Sequence, residues 1–514
     1  MRFLVAMTFC LLLVGATAAR AVADGAYAPT TESTGDILAK LTAADGQLQS
    51  GDYLTVSRTA NGDGTTTTWT TQVVGGDRLT LEQRGAVTDE FGEYQGQDWW
   101  RDANGTVILE RGADEAITDP AALMRSENGE NPFHVLGETQ GEPQQYVLEA
   151  HSPGGDVIDA YVDAKTFLLA KVTFSYRGGR SELDFSDYRA LFGRTQPFHE
   201  RDSEDGFPQN GSETQTLSFT QSPSNDAAMT IPPSQPLFAV SAPLTLPARF
   251  TDAQGYTGEI VLTATVNGQS LDMVLDSGAS GLTLDPGAAR RLGLPSYGRQ
   301  TFSIGGNVDR SNTIVPQLSI GGLALRNVVF DLIPFNDTEE GAHPVGLIGC
   351  DFFASSIVGF DFKRKTVTLY PRSTFDPTAL GLEAIPIQTN DCVPRIAAMF
   401  ENVRGTFLLD TGAFGTMLSQ HYLAELPQAG IERDTSAMDQ TPDEISFIGG
   451  SVPTQYYVVN DFVFASTRFR TGEVAVPSGD VLGDDAGLIG RNVLKEYVFY
   501  LDYADGLAFF KLNV

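Results

Sequence analysis

Cysteine is almost absent. Cys10, Cys350 and Cys392 are the only three in 514 residues. Cys10 lies in an apolar N-terminal leader, so a processed chain keeps two. One pair cannot staple a chain of this length, so the fold must rest on its core. Spacing does not say whether Cys350 and Cys392 pair. Histidine is nearly as scarce: His134, His151, His199, His343 and His421 are scattered without metal-ligand spacing. No metal and no cofactor is therefore expected. Basic residues are few, with Lys+Arg 34 against Asp+Glu 65 and a formal net charge of −31. A nucleic-acid backbone would be repelled, which excludes that class of partner. No stretch after the leader carries eighteen consecutive apolar residues, so no membrane anchor is expected. Neither a Gly-x-Ser-x-Gly nucleophile elbow nor a P-loop is present.

What is there points to exported β structure. Arg2 precedes an apolar run, Phe3 to Val14, too short to span a bilayer comfortably. Ala16-Thr17-Ala18, Ala19-Arg20-Ala21 and Ala21-Val22-Ala23 all satisfy the small-x-small cleavage rule. Residues 1–21 are thus expected to be a signal peptide, and the protein to be periplasmic or secreted. Phe9 before Cys10 is too large for a lipoprotein processing site. Loss of Arg2 and Arg20 with the signal takes the net charge from −31 to −33. Gly 53 and Pro 26 make up about 15% of the chain, which favours turns over long helices. At about 150 residues per domain, the length suggests about three domains.

Residues 22–224 read as one antiparallel β-sheet domain. A helix is expected from Asp36 to Leu48, where Ile37, Leu38, Leu41 and Leu48 sit near helical spacing. The period then shortens. Tyr53–Arg58, Thr66–Val74 and Arg78–Glu82 are β-branched, partly alternating and separated by Asn61-Gly62-Asp63-Gly64 and Gly75-Gly76-Asp77. Further strands are expected at Gln145–Ala150, Val157–Val162, Leu168–Tyr176, Ser181–Tyr188 and Thr214–Thr220. This strand order, with Asp159-Ala-Tyr-Val-Asp163 followed by Leu168-Leu-Ala-Lys171, resembles the periplasmic lipoprotein-carrier family. The resemblance implies a curved, half-barrel-like sheet with one or two helices, and a lipid or other apolar ligand. Residues 225–237, with Pro232, Pro233 and Pro236, read as a linker.

From residue 238 the chain repeats itself. Met273-Val-Leu-Asp-Ser-Gly-Ala279 is echoed by Phe407-Leu-Leu-Asp-Thr-Gly-Ala413, and Val345-Gly-Leu-Ile-Gly349 by Ala486-Gly-Leu-Ile-Gly490. Val358-Gly-Phe-Asp-Phe362 is echoed by Val498-Phe-Tyr-Leu-Asp502. Three landmarks in one order define two copies of one β unit, residues 238–375 and 376–514. Each aspartate ends an apolar strand. The hydroxyl residue, Gly and Ala that follow make a tight turn able to present the carboxylate.

This constellation resembles the aspartic peptidases, more closely the bacterial retropepsin-like kind. The resemblance implies a bilobal double β-barrel with a pseudo-twofold axis and a mainly β fold throughout. It implies Asp276 and Asp410 as the catalytic pair, formed within one chain, so that a monomer suffices. Ser277 and Thr411 would make crossed hydroxyl-to-backbone bonds, and Gly278 and Gly412 would let backbone approach the carboxylates. The Gly-Leu-Ile-Gly segments would pack beneath the turns. Hairpin flaps would fall at Ile304-Gly305-Gly306 and Ile448-Gly449-Gly450. Two carboxylates about 3 Å apart share one proton, so a water activated between them can hydrolyse a peptide bond without a metal or covalent intermediate. Ala279 and Ala413 stand where pepsin-like enzymes carry a hydroxyl, which points to activity at mildly acidic to neutral pH.

The function expected is that of an exported aspartic endopeptidase acting on a peptide or protein. Phe414 stands where the first copy has Ser280, so the copies differ beside the active turn. The alternative is a catalytically inactive periplasmic protein that binds peptide or lipid on the same scaffold. A third arrangement makes the N-terminal domain a prodomain released by cleavage within residues 201–237.

Overall fold

A computed structural model describes residues 27–46, 52–109, 133–151, 157–176, 179–204, 211–221, 229–253, 256–303, 307–334, 344–389, 392–427, 431–433, 444–448, 450–470, 472–479 and 481–513. The signal peptide, Ile304, Gly305, Gly306 and Gly449 lie outside these residues. No helix among those described is long and apolar enough to cross a membrane.

The chain divides into two compact units. The first comprises Met1–Trp99, Gly112–Ile231 and Gly298–Asn307; the second comprises Trp100–Arg111, Pro232–Tyr297 and Val308–Val514. Each unit thus holds a short segment from the other's stretch of sequence. Residues 100–111 come from the stretch read above as the first domain, and 298–307 from the first copy of the repeat.

The first unit is built on one antiparallel sheet. Its strands follow the chain outward from Tyr53–Asn61 to Val87–Tyr94 on one side. On the other side they follow it backward from Ser212–Gln221 to His134–Glu138. The first and last strands close the middle, with Tyr53 opposite Gln221 and Asn61 opposite Ser212. One helix, Thr34–Asp45, is capped by Ser33, whose hydroxyl accepts from the Asp36 N–H. It buries Ile37, Leu38 and Leu41 against Leu148, Ile158, Val162 and Phe185. That half of the sheet has an apolar face. On the first three strands the buried positions are largely polar instead: Thr59, Thr67, Thr71, Thr80, Glu82 and Arg84. They satisfy one another. The Trp69 Nε1–H donates to Thr59 Oγ1 at 2.9 Å, and Arg84 is held by Glu82 at 2.6 Å and by Asp89. Gln300, in the segment 298–307, donates its Nε2–H to the same Glu82 at 2.9 Å.

The second unit has three sheets. One sheet lies in the first copy of the repeat, and a ten-stranded sheet in the second. The six-stranded third sheet takes strands from both copies. Ile357–Asp361 and Tyr497–Asp502, the echoed segments, pair antiparallel, with Val358 opposite Leu501 and Asp361 opposite Val498. The duplicated sequence thus meets itself across one strand pair. A large core of buried residues runs from Leu246 through Phe353, Phe407 and Phe499 to Phe510. Cys350 and Cys392, one from each copy, are joined as a disulfide with Cα atoms 5.6 Å apart. This settles the pairing that spacing left open.

Candidate active site

Two strands deliver the aspartates. Gln269–Leu275 runs parallel to Gly346–Ile348, and Val403–Leu409 runs parallel to Gly487–Ile489. On its other edge each Gly-Leu-Ile strand pairs antiparallel with the strand that follows the aspartate turn, Leu282–Leu284 or Met417–Leu418. The Gly-Leu-Ile segment therefore wedges the turn open between its two limbs. The last ladder bond reaches the aspartate itself: the Asp276 N–H donates to Ile348 O, and the Asp410 N–H to Ile489 O, each at 3.0 Å. Chain direction reverses immediately beyond, so both carboxylates leave at a strand end.

Ser277 and Thr411 join the turns. The Ser277 Oγ–H donates to Leu409 O at 2.6 Å, and the Thr411 N–H donates to Ser277 Oγ at 2.9 Å. Reciprocally, the Thr411 Oγ1–H donates to Leu275 O and the Ser277 N–H to Thr411 Oγ1, both at 2.9 Å. Both side chains are fully buried. Each hydroxyl gives one bond and takes one, so no polar atom in the lock is wasted.

The lock sets each carboxyl against the glycine of the opposite turn. A Cβ on Gly412 would fall 2.5 Å from the Asp276 oxygens, and one on Gly278 would fall within 2.9 Å of those of Asp410. Only glycine fits at either place. The two acids are not equivalent. Asp276 Oδ1 accepts from the Gly278 N–H at 2.8 Å. Asp410 Oδ1 accepts from two donors, the Gly412 N–H at 2.7 Å and the Ala413 N–H at 2.8 Å. Burial, and next the charge of Asp410, push the Asp276 carboxyl well above the ordinary carboxylate range.

Two further residues complete the arrangement. The Arg491 Nη1 donates to Thr411 O at 2.7 Å and Gly412 O at 2.6 Å, pinning the second turn from beneath. Its charge also reaches Asp276, opposing part of that carboxyl's upward shift. The buried Tyr503 hydroxyl donates to Ser277 O at 3.0 Å. Its own ionisation is pushed up, first by burial and then by the charges of Asp276 and Asp410. Sequence reading missed both. Arg491 directly follows Gly487-Leu-Ile-Gly490, so its position was visible, but the first copy has Cys350 there and the repeat drew no attention to it.

The structure brings together Asp276, Asp410, Ser277, Thr411, Gly278 and Gly412. Of the expected flap residues, Ile448 occupies the turn between Glu444–Phe447 and Gly450–Val459, where Phe447 pairs with Gly450.

Residues 262–352 and 396–493 match the aspartyl protease family, one stretch in each copy of the repeat. Among curated proteins none matches the chain significantly. Two solved structures are similar over its smaller part. A LolA superfamily protein, NE2245 from Nitrosomonas europaea, is 15% identical, covers 39% of this chain and 98% of its own, and has a TM-score of 0.30. A DUF1329 family protein from Desulfovibrio piger is 14% identical, covers 38% and 95%, and also has a TM-score of 0.30.

Proposed function

We propose that the protein is an exported aspartic endopeptidase that hydrolyses peptide bonds with a water activated between Asp276 and Asp410. One observation carries this reading: the Ser277–Thr411 lock sets the Asp276 and Asp410 carboxyls each against the glycine of the opposite turn. A binding protein gains nothing from such a pair, which costs desolvation and charge repulsion. Both acids come from one chain, so no second copy is needed to complete the site.

The asymmetry of the pair assigns the roles. Asp410, with two N–H donors on one oxygen, is the general base. Asp276, with its ionisation pushed up, holds the shared proton. A water between them gives a proton to Asp410 as its oxygen attacks the scissile carbonyl carbon. Asp276 gives its proton to the carbonyl oxygen, forming a neutral tetrahedral diol. In the second step the proton on Asp410 passes to the amide nitrogen, the C–N bond breaks, and a diol proton returns to Asp276. The amine and acid leave, and the pair regains its starting state. Arg491 and Tyr503 do not touch the substrate in this scheme. They hold the carbonyls of the turns so that the carboxyls stay coplanar with the water.

The reading is tested by digestion of an unfolded protein such as casein. Activity in the wild type that is lost in Asp276→Asn and in Asp410→Asn supports it. Equal digestion by all three proteins overturns it.

A further inference from the structure

The two catalytic turns are buttressed differently. In the second copy the support is local. The Arg491 N–H donates to Ala413 O at 3.0 Å, the Asn492 N–H to Phe414 O at 3.1 Å, and the Thr416 Oγ1–H to the Asn492 side chain at 2.8 Å. In the first copy the equivalent pair is Cys350 and Asp351. The Cys350 N–H donates to Ala279 O at 3.0 Å, matching Arg491. Asp351, which matches Asn492, takes its partner from outside the repeat. The Asn104 Nδ2–H donates to Asp351 Oδ2 at 3.0 Å.

Asn104 makes two more bonds with the same side chain. Its Nδ2–H also reaches Val329 O at 3.0 Å, and its Oδ1 accepts the Val329 N–H at 2.8 Å. The side chain thus extends the edge of the strand Leu323–Leu332 as a peptide group would. Just beyond Val329 that strand pairs with Leu282–Leu284, the segment leaving the catalytic turn. One amide therefore ties the helix Cys350–Ser355, whose Cys350 N–H bonds Ala279 O in the Asp276 turn, to the strand that pairs with the segment leaving that turn.

The segment bearing Asn104 is seated firmly within this unit. Asp102 Oδ1 accepts the N–H groups of Asn104 and Thr106 at 3.1 and 2.8 Å, which shapes the turn that aims the amide. The Gln235 N–H donates to Gly105 O at 2.7 Å, and the Val107 N–H to Ser234 Oγ at 3.0 Å. Ile108 is buried in the same core as Phe238 and Phe353. The Leu237 N–H donates to Ser355 Oγ at 2.8 Å, so the end of the expected linker is itself docked.

We propose that Asn104 is a positioning residue for the Asp276 turn, and that residues 100–111 are a permanent part of the unit that carries the dyad. The N-terminal stretch is then not a prodomain that a cut in residues 201–237 can release. The catalytic half of this proposal rests on the peptidase reading; the structural half does not.

The test uses the full chain with a specific protease site inserted within residues 222–228. After nicking, the two fragments should co-elute as one species under native conditions and keep the activity of the uncut protein. Separation of the fragments with full activity in the C-terminal one would overturn the proposal. Asn104→Asp places a second carboxylate against Asp351. It should lower kcat on a peptide substrate about 10-fold with KM little changed, less than the ~10²-fold of a full 1 Å misplacement. It should also move the neutral limb of the pH profile toward acid, where one carboxyl regains a proton. Asp351→Asn added to Asn104→Asp removes the repulsion and should restore most of kcat and the profile. A folded Asn104→Asp or Asn104→Ala protein with wild-type kcat and pH profile would overturn the positioning role. If wild type cleaves nothing, the peptidase reading fails, whereas fragment co-elution and its weakening by Asn104→Ala still decide the structural half.

Discussion

Ser277 and Thr411 exchange hydrogen bonds in both directions: each backbone N–H donates to the other's hydroxyl oxygen, at 2.9 Å in both cases. Each hydroxyl then donates across to the carbonyl preceding the opposite aspartate. Position in the dyad is thus set by side chains next to the acids rather than by the acids themselves. Thr411→Val removes the donor to Leu275 O and leaves two buried groups without partners, at a cost of about 1–3 kcal/mol each. We expect a lowered melting temperature and loss of most activity, with Thr411→Ser close to wild type. Thermal unfolding and a peptide assay on the two variants check this. A Thr411→Val protein that melts and cleaves like wild type contradicts it.

The pH dependence of cleavage follows from the proton on Asp276. On the proposed mechanism activity needs Asp276 protonated, so the high pH limb lies where Asp276 loses its proton. Burial and the Asp410 charge move that limb upward, and Ala279 and Ala413 supply no hydroxyl to the ionised form. Peptide hydrolysis should peak at mildly acidic to neutral pH. A sharp maximum near pH ~2 in a rate profile would be the contrary result.

Stability should show the same group with a definite sign. The folded Asp276 holds its proton more tightly than the unfolded chain, whose value is about 3.9. Its contribution is therefore fully present below that value and is lost as pH rises through the folded one. Asp276→Asn is neutral at every pH, so it should gain on wild type as pH rises, by a few degrees of melting temperature near neutrality and by little near pH ~3.5. Melting curves across this range check it. A difference that grows toward acid would have the wrong sign.

Gly412 lies where a side chain would enter the Asp276 carboxyl. Gly412→Ala should push the two acids apart and reduce kcat/KM by about 10²-fold or more, while the second unit, whose core is elsewhere, stays folded. Circular dichroism and steady-state kinetics measure the two effects separately. Retained activity in a folded Gly412→Ala protein would mean that the carboxyls need not touch.

Much of the site was legible because the sequence states it twice. Asp276-Ser-Gly-Ala and Asp410-Thr-Gly-Ala, with Gly346-Leu-Ile and Gly487-Leu-Ile downstream, fix which strands flank each acid. Val358–Phe362 and Val498–Asp502 were legible as echoes, but not as partners in one sheet, because pairing between copies leaves no local signature. Strands of the first unit follow the β-branched runs closely. The closure of Tyr53–Asn61 onto Ser212–Gln221 spans most of the domain, and no turn residue announces it. Asn104 was hidden for a related reason. Asp102-Ala-Asn104-Gly105 reads as an ordinary surface turn, and its partners Val329 and Asp351 stand more than 220 residues away. Arg491 was hidden by asymmetry, since Cys350 in the matching position turned attention to the disulfide.

The central claim is that Asp276 and Asp410 together activate a water. Casein digestion between pH 3 and 8, with wild type beside Asp276→Asn and Asp410→Asn, tests it most directly. The account predicts cleavage by wild type and a loss of about 10²-fold or more in each variant, as expected when a general acid or base is removed. Cleavage that survives in either variant, with its melting curve showing a folded protein, would contradict it.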